Sequence, residues 1–378
     1  MIGIDYTAAY EQGAGIGRLV RQLVSELAQV DTDTRYKLLV AGATHADLPP
    51  APGDNFQWKP TRVTPLWFSR VWYRARVPYP LELFVGPVKL YHSPNFELPP
   101  HLPATRTLLT VHDLSYVRTP ETSPPVLKHY LDRVVPWSVA RADHVLADSQ
   151  ATKDDLIDLY DTPPDKITVL LSGVDARFQP MTDTARLAAV RQRYDIPAGD
   201  YIFAIGTVQP RKNYARLVRA VHHLGPSFQD MCLVIAGGKG WLEDEIYHTL
   251  DELHMHGRVR FIGYAADDDL PALYSGAMLT AYPSLYEGFG FPILESMACG
   301  TPVITGNVSS MPEVAGDAAL IVDPYDVEAL ADGLRRLITD TGLRASLVRK
   351  GTARAAEFTW RRAAQELKTI YDRMLENR

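Results

Sequence analysis

Short apolar runs recur from one end of the chain to the other. In the first half they are Ile2–Asp5, Tyr36–Ala41, Leu90–His92, Leu108–Val111, Val145–Ala147 and Ile167–Leu171. In the second half they are Tyr201–Ile205, Leu233–Ala236, Val259–Ile262, Met278–Ala281, Val303–Thr305 and Leu320–Val322. Between them apolar residues return at helical spacing. Leu19, Val20, Leu23, Val24 and Leu27 share one face, and so do Leu217, Val218, Val221 and Leu224. Nearly continuous apolar strands alternating with amphipathic helices predict buried parallel sheets, hence an α/β fold with doubly wound, Rossmann-like sheets. The alternation occurs twice. The break between runs from about Val174 to Gly199, holds Pro180 and Pro197, and carries one polar helical segment near Thr184–Tyr194. The expected division is a first domain over 1–175, a linker over 176–198 and a second domain over 199–359. A last stripe of Ala363, Leu367, Ile370 and Met374 behind an N-cap at Thr359 predicts a helix over 360–378, which either caps the second sheet or crosses back to the first domain.

Composition narrows the function classes. The 378 residues contain 46% hydrophobic and 22% charged side chains, the profile of a soluble globular chain long enough for two cores. The formal net charge is -6 and no Lys/Arg-rich tail is present, so no nucleic-acid partner is expected. Cys232 and Cys299 are the only cysteines. Both read as small buried hydrophobes, which suits a reducing cytoplasm. No basic-then-apolar leader opens the sequence and no apolar run is long enough to span a bilayer, so a cytoplasmic location is expected.

In an open parallel sheet, ligands bind outside the carboxyl ends of the strands. Four motifs fall there. The first is Glu287-Gly288-Phe289-Gly290-Phe291-Pro292-Ile293-Leu294-Glu295, after the strand ending at Tyr282-Pro283. Pro292 suits the first turn of a helix, which Gly300 stops. Free N–H groups at that helix start would hold a diphosphate, with glycine allowing close approach. Glu295, placed in the first turn, would meet a ribose with paired hydroxyls, and Glu287 would accept hydrogen bonds from a sugar. The plainer alternative is dipole complementation by Glu295 and a solvated Glu287. The second motif is Gly206-Thr207-Val208-Gln209-Pro210-Arg211-Lys212-Asn213. Arg211 and Lys212 would stabilise a departing nucleoside diphosphate. The third is His112-Asp113, closing the strand Leu108–Val111. The fourth is Gly13-Ala14-Gly15-Ile16-Gly17-Arg18, a glycine-rich turn at a helix start. Gly15, Gly17 and Arg18 either cradle phosphate or form a tight βα turn. With no Asp-x-Asp at a strand end and no His/Asp cluster there beyond the His112-Asp113 pair, no metal and no cofactor is expected.

Two other segments invite structural readings. Ser310-Met311-Pro312-Glu313 fits a capping box. The stretch 62–76 mixes Trp67, Phe68, Trp72 and Tyr73 with Arg62, Arg70, Arg74 and Arg76. It reads either as a peripheral contact with anionic membrane or as a packed helix with snorkelling arginines.

The Glu287–Glu295 string resembles the E-x7-E signature of retaining glycosyltransferases of the GT-B fold, specifically glycosyltransferase family 4. The resemblance extends over nearly the whole chain. It implies two Rossmann-like domains facing a central cleft, with the acceptor on the first and a nucleotide-sugar donor on the second. It implies Glu295 as ribose ligand, Glu287 as sugar ligand, and Gly288, Phe289, Gly290 and Phe291 as amide donors. His112 would contact the donor sugar. The glycine-rich loop with Gly15, Gly17 and Arg18 would approach the donor phosphates and acceptor, and Ser172-Gly173-Val174-Asp175 would be the interdomain hinge. Many members carry Arg directly after the first glycine of the basic loop, where this chain has Thr207, so either Arg211 takes that duty or it is shared differently. The Pro-Arg-Lys-Asn variant is most similar to bacterial cell-surface polysaccharide mannosyltransferases. This implies GDP-mannose as donor and a polysaccharide or undecaprenyl-type lipid-linked glycan as acceptor. The donor base remains open, a UDP-sugar being the alternative. A sugar-nucleotide epimerase and an inactive partner subunit are the other readings. Oligomeric state is unspecified.

Overall fold

The computed structural model of the chain describes residues 1–13 and 15–376. Ala14 of the glycine-rich string and residues 377–378 of the last predicted helix lie outside the described residues. The chain forms two compact units.

Unit 1 comprises Met1–Leu114, Val126–Gly173 and the segment from Thr359 onward. Its sheet contains β1 (Ile2–Asp5), β2 (Tyr36–Ala41), β3 (Phe56–Thr61), β4 (Leu90–Ser93), β5 (Arg106–Val111), β6 (His144–Ala147) and β7 (Ile167–Val169). The order is β3-β2-β1-β4-β5-β6-β7, with every pairing parallel. The chain therefore winds one way from β1 to β3 and the other way from β4 to β7, and the switch point lies between β1 and β4. Leu108, Leu109 and Val111 of β5 are fully buried, as continuous apolar runs require.

Strand β3 was not legible as an apolar run. Phe56, Gln57, Trp58, Lys59, Pro60 and Thr61 alternate rather than run continuously, and among the described residues the strand pairs with β2 alone, at the sheet edge. A proline lacks the ladder donor and is tolerated at such an edge. The last helix, Trp360–Glu376, belongs to unit 1 and begins where Thr359 Oγ1 accepts the Arg362 amide at 3.2 Å. Its buried stripe includes Ala363, Leu367 and Ile370, and it packs along the helix Gly15–Val30. Tyr371 adds a bond to Nδ1 of His92 at 2.7 Å.

Unit 2 comprises Ser115–Pro125 and Val174–Phe358. Its strands are β8 (Tyr201–Ile205), β9 (Cys232–Ala236), β10 (Val259–Gly263), β11 (Leu279–Tyr282), β12 (Val303–Gly306) and β13 (Leu320–Val322). They are ordered β10-β9-β8-β11-β12-β13. The switch point lies between β8 and β11.

Residues 176–198 are not a separate linker. They carry the helix Thr184–Arg193, capped by the Asp183 carboxylate on the amides of Ala185 and Arg186. Buried Asp269 fastens this helix to unit 2 by accepting bonds from Arg186, Arg193 and Tyr194 at 2.6–2.8 Å. The polar face that suggested a linker is therefore an ion-paired face. Ser115–Pro125, directly after the His-Asp motif, is an excursion into unit 2, tied there by Trp241 Nε1–H donating to the Thr122 carbonyl at 2.9 Å.

The aromatic-arginine segment packs on unit 1. Phe68, Trp72 and Tyr73 are buried with Leu81, Val85 and Tyr91, and the Phe68 and Trp72 rings stack at 4.0 Å. Arg74 lies over the Tyr130 ring and Arg76 over Trp137. Leu66 and Trp67 stay exposed. Among the described residues no helix is long and apolar enough to cross a membrane.

Candidate active site

At the second switch point the end of β11 runs into Pro283–Gly290 and then into the helix Phe291–Ala298. Gly290 adopts φ 112°, and a Cβ there would approach Ile293 Cδ1 to 3.2 Å, so the turn into the helix requires glycine. Glu287 is 7% exposed, which excludes a solvated loop role. Its Oε2 lies 2.7 Å from Arg211 Nη1 and its Oε1 lies 2.7 Å from Lys212 Nζ. Arg211 Nη1 also donates to the Tyr286 carbonyl at 2.7 Å, and Lys212 Nζ to the Tyr282 hydroxyl at 2.9 Å. Burial pushes the Glu287 carboxyl up, but Arg211 and Lys212 outweigh it and hold the group down at about 2. The cluster is thus one carboxylate and two cations, leaving one net positive charge in a buried place. The basic loop and the signature string, read separately in sequence, form one ionic cluster.

The loop after Glu287 is gripped from β12's carboxyl side. Ser309 Oγ accepts the Glu287 amide at 2.9 Å, and Ser310 Oγ–H reaches the Glu287 and Phe289 carbonyls at 2.9 and 2.8 Å. Ser310 therefore does not act as the expected capping-box residue. It stands at the helix start with helical backbone and makes no side-chain cap bond, because its hydroxyl is committed to the loop. With these carbonyls held, the amides of Gly288, Phe289 and Gly290 have no hydrogen-bond partner among the described residues, although all three residues are buried. Buried amides are almost always paired, and open ones beside a helix N-terminus are donors that an anion would satisfy. Phe291 opens the helix, its ring 5.1 Å from that of Phe289.

Glu295 lies in the second turn of that helix rather than the first, because the helix begins at Phe291. It is 4% exposed, and its Oε2 accepts from the Tyr274 hydroxyl at 2.7 Å. A carboxylate held in this way is a positioned acceptor, not a complement to the helix dipole.

In unit 1, His112 is buried at the end of β5. Its Nδ1 lies 2.8 Å from Asp148 Oδ2, and its Nε2 lies 2.9 Å from the Pro94 carbonyl. A carbonyl only accepts, so Nε2 carries a proton. Burial disfavours the charged ring, but the Asp148 carboxylate and the Pro94 carbonyl overcome it and raise the imidazole above its ordinary value. Gly15 opens the helix Gly15–Val30 at φ 45°, and half-buried Arg18 lies in its first turn. A Cβ at Gly17 would sit 2.2 Å from the Gln12 carbonyl oxygen, so this glycine is required for close backbone packing. That supports the tight-turn reading of Gly17.

Sequence reasoning missed the supporting residues: Tyr282 on Lys212, Tyr274 on Glu295, Ser309 and Ser310 on the loop, and Asp148 and Pro94 on His112. Asp148 did carry a signal, a carboxylate directly after β6 at the sheet's carboxyl end. The others hold their partners through contacts with no spacing rule.

Comparison with known proteins fits this geometry. The family described as "Glycosyltransferase Family 4" matches residues 13–178, and "Glycosyl transferases group 1" matches 189–354. The O-antigen chain mannosyltransferase B of Escherichia coli is 35% identical over 75% of this chain and 74% of that protein. A D-inositol 3-phosphate glycosyltransferase of Salinispora tropica is 38% identical over 62% of this chain and 51% of its own length. Among solved structures, a sucrose-phosphate synthase from Thermosynechococcus elongatus superposes with a TM-score of 0.76 at 20% identity, covering 99% of this chain and 98% of that one. WaaG, a glycosyltransferase involved in lipopolysaccharide biosynthesis, does so at 0.73 and 17% identity, covering 98% and 99%. The chain is therefore a glycosyltransferase of the GT-B fold, with a family 4 first half and a group 1 second half.

Proposed function

We propose that this enzyme transfers a sugar, with retention of anomeric configuration and without a metal ion, from a nucleotide-sugar donor to a growing polysaccharide or lipid-linked glycan. GDP-mannose is the favoured donor. The observation that carries the reading is the row of unpartnered buried amides at Gly288, Phe289 and Gly290, beside a cluster with one net positive charge. An anionic diphosphate satisfies both. The amides and the helix start receive its oxygens, while Arg211 and Lys212 stabilise the charge that grows as the sugar–phosphate bond breaks. Glu287 holds the two cations and accepts sugar hydroxyls. Glu295, aimed by Tyr274, takes the ribose. His112 contacts the donor sugar and is not assigned as a base, since both its nitrogens are engaged. Such a contact requires Nε2 to leave the Pro94 carbonyl. The departing phosphate takes the acceptor proton.

The mannosyl donor and glycan acceptor are supported by the similarity to O-antigen chain mannosyltransferase B over three quarters of the chain. Exposed Leu66 and Trp67 beside the arginines of 62–76 support peripheral contact with anionic membrane at a cytoplasmic face, and co-sedimentation with anionic vesicles at low salt tests it. The central test is calorimetric titration of GDP, UDP and ADP with EDTA present. Preference for GDP supports the mannosyl donor. Preference for UDP moves the donor to a UDP-sugar, and binding that needs a divalent ion ends the metal-free reading. Lack of binding by all of them ends the donor-site assignment.

A further inference from the structure

Just past the end of β11, in the loop that leads to Glu287, stands Ser284. It is 0% exposed, and its Oγ is sealed from solvent with no hydrogen-bond partner among the described residues. Buried hydroxyls around it are committed. Thr305 donates to the Tyr282 carbonyl at 2.9 Å, and Ser310 reaches the Glu287 and Phe289 carbonyls. The chain at Ser284 is also fixed from both sides. Asn213 Nδ2–H donates to the Pro283 carbonyl at 3.0 Å, and the Leu285 amide donates to the Arg211 carbonyl at 2.8 Å. A Cβ at Gly306 would stand 3.2 Å from the Ser284 carbonyl oxygen, so the end of β12 packs closely on it. An unpaired buried hydroxyl is destabilising, and one held in so firm a place calls for an explanation.

The charged group three residues on supplies it. Burial pushes the Glu287 carboxyl up, Arg211 and Lys212 pull it down, and the Ser284 hydroxyl adds to that pull. The hydroxyl is therefore within electrostatic reach of the carboxylate without being bonded to it. Room for the bond exists, because a carboxylate has about four acceptor positions. Arg211 holds one oxygen of Glu287 and Lys212 the other. A diphosphate arriving at this cluster competes with Glu287 for the same two cations. As they turn to it, the carboxylate loses donors in a buried place, where an unpaired charge is costly. Ser284 is the donor at hand.

We propose that Ser284 is a positioning residue for donor binding: its hydroxyl, unpartnered within the fold, bonds to Glu287 when Arg211 and Lys212 turn to a diphosphate, and so keeps the carboxylate in place for the sugar. This rests on the transferase reading above and adds to it an exchange of partners within the ionic cluster. Only hydrogen bonds are exchanged; no covalent bond or proton moves.

Calorimetry and thermal melts on the full chain test it, with GDP, UDP and ADP as probes. Ser284→Ala binds the nucleotide that the parent prefers about tenfold more weakly, the worth of one hydrogen bond to a charged group. Without nucleotide its melting temperature equals or exceeds the parent's, because the lost hydroxyl bonds to nothing in the fold. Unchanged affinity overturns the proposal, and so does a lower melting temperature without nucleotide, the mark of a merely structural role. Glu287→Gln provides a second background, in which both cations are left for the nucleotide. There the loss caused by Ser284→Ala shrinks, since the charged partner is gone. An undiminished loss in that background puts the hydroxyl on the nucleotide itself and overturns the proposal. A parent that binds none of the three probes sinks the donor-site reading and this inference with it, whereas a parent that binds, matched by Ser284→Ala, sinks the inference alone.

Discussion

The two switch points have the same topology and opposite chemistry. Both lie where a parallel sheet reverses its winding, between β1 and β4 in one unit and between β8 and β11 in the other. Each places a glutamate there. Glu287 sits against two cations and is held down at about 2, whereas Glu97 has a phenol for company and is pushed up to about 7. Backbone geometry thus provides the location, and the side chains decide which sign of ligand it accepts. One place sets two cations around its carboxylate. The other leaves its carboxyl with no cation among the described residues that line the cavity there.

The sharpest way to break this contrast is to remove a cation from the second unit. Lys212→Ala should lower kcat/KM by about 10²–10³, the usual scale for losing one charge-stabilising group. Steady-state kinetics check this. Retention of full turnover would remove the diphosphate from this cluster.

Next in size is the division of labour between binding and turnover. Glu295→Ala should weaken nucleoside diphosphate binding by about 10–100-fold, as loss of a charged hydrogen bond does. His112→Ala should leave that affinity unchanged and cut turnover. Calorimetry beside kinetics separates them, and equal effects of both variants on both quantities would undo the assignment.

The paired glutamates give a pH test with opposite signs. Glu287 is depressed from an ordinary 4.5 to about 2, so its stabilisation is present above about 4.5 and is lost as pH falls toward 2. Glu97 is raised from 4.5 to about 7, so the fold favours its protonated form and loses stability as pH rises through that window. Glu97→Gln should therefore raise the melting temperature at pH 8 by a few degrees, on the order of 2 kcal/mol, and change little at pH 5. Glu287→Gln should lower the melting temperature at pH 8, since Arg211 and Lys212 lose their buried partner. Thermal melts at the two pH values decide it. Parallel shifts would show that the environments do not differ as described.

The smallest effect tests positioning. Tyr274→Phe removes the 2.7 Å bond to Glu295 without touching the carboxylate. Donor affinity should fall by about three- to tenfold, with kcat unchanged. A fall in kcat at constant affinity would place Tyr274 elsewhere in the mechanism.

Much of the architecture was legible because buried parallel strands must be apolar throughout. Strand β3 escaped because an edge strand, paired among the described residues with β2 alone, admits Lys59 and Pro60. The signature string and the basic loop were visible because glycines and charges at strand ends are conspicuous. Their union was not. Lys212 and Glu287 are 75 positions apart, and nothing local to either announces the bond. Ser310 misled for a related reason. A hydroxyl before a helix with Glu313 three residues on looks like a cap, yet two loop carbonyls compete for it and win. The helix Thr184–Arg193 looked like linker because a polar face that meets Asp269 resembles one that meets water.

The last helix has a consequence for how the chain is made. Strands β1 to β7 are complete once Val169 has been synthesised, but the helix that lies along Gly15–Val30 begins only at Trp360. Throughout translation of the intervening unit, the apolar stripe met by Leu367 and Ile370 has no cover from this helix. The first unit to be synthesised is therefore the last to be finished. An emerging chain halted after Phe358 would present that stripe to chaperones and proteases, while the second unit already has its whole sequence.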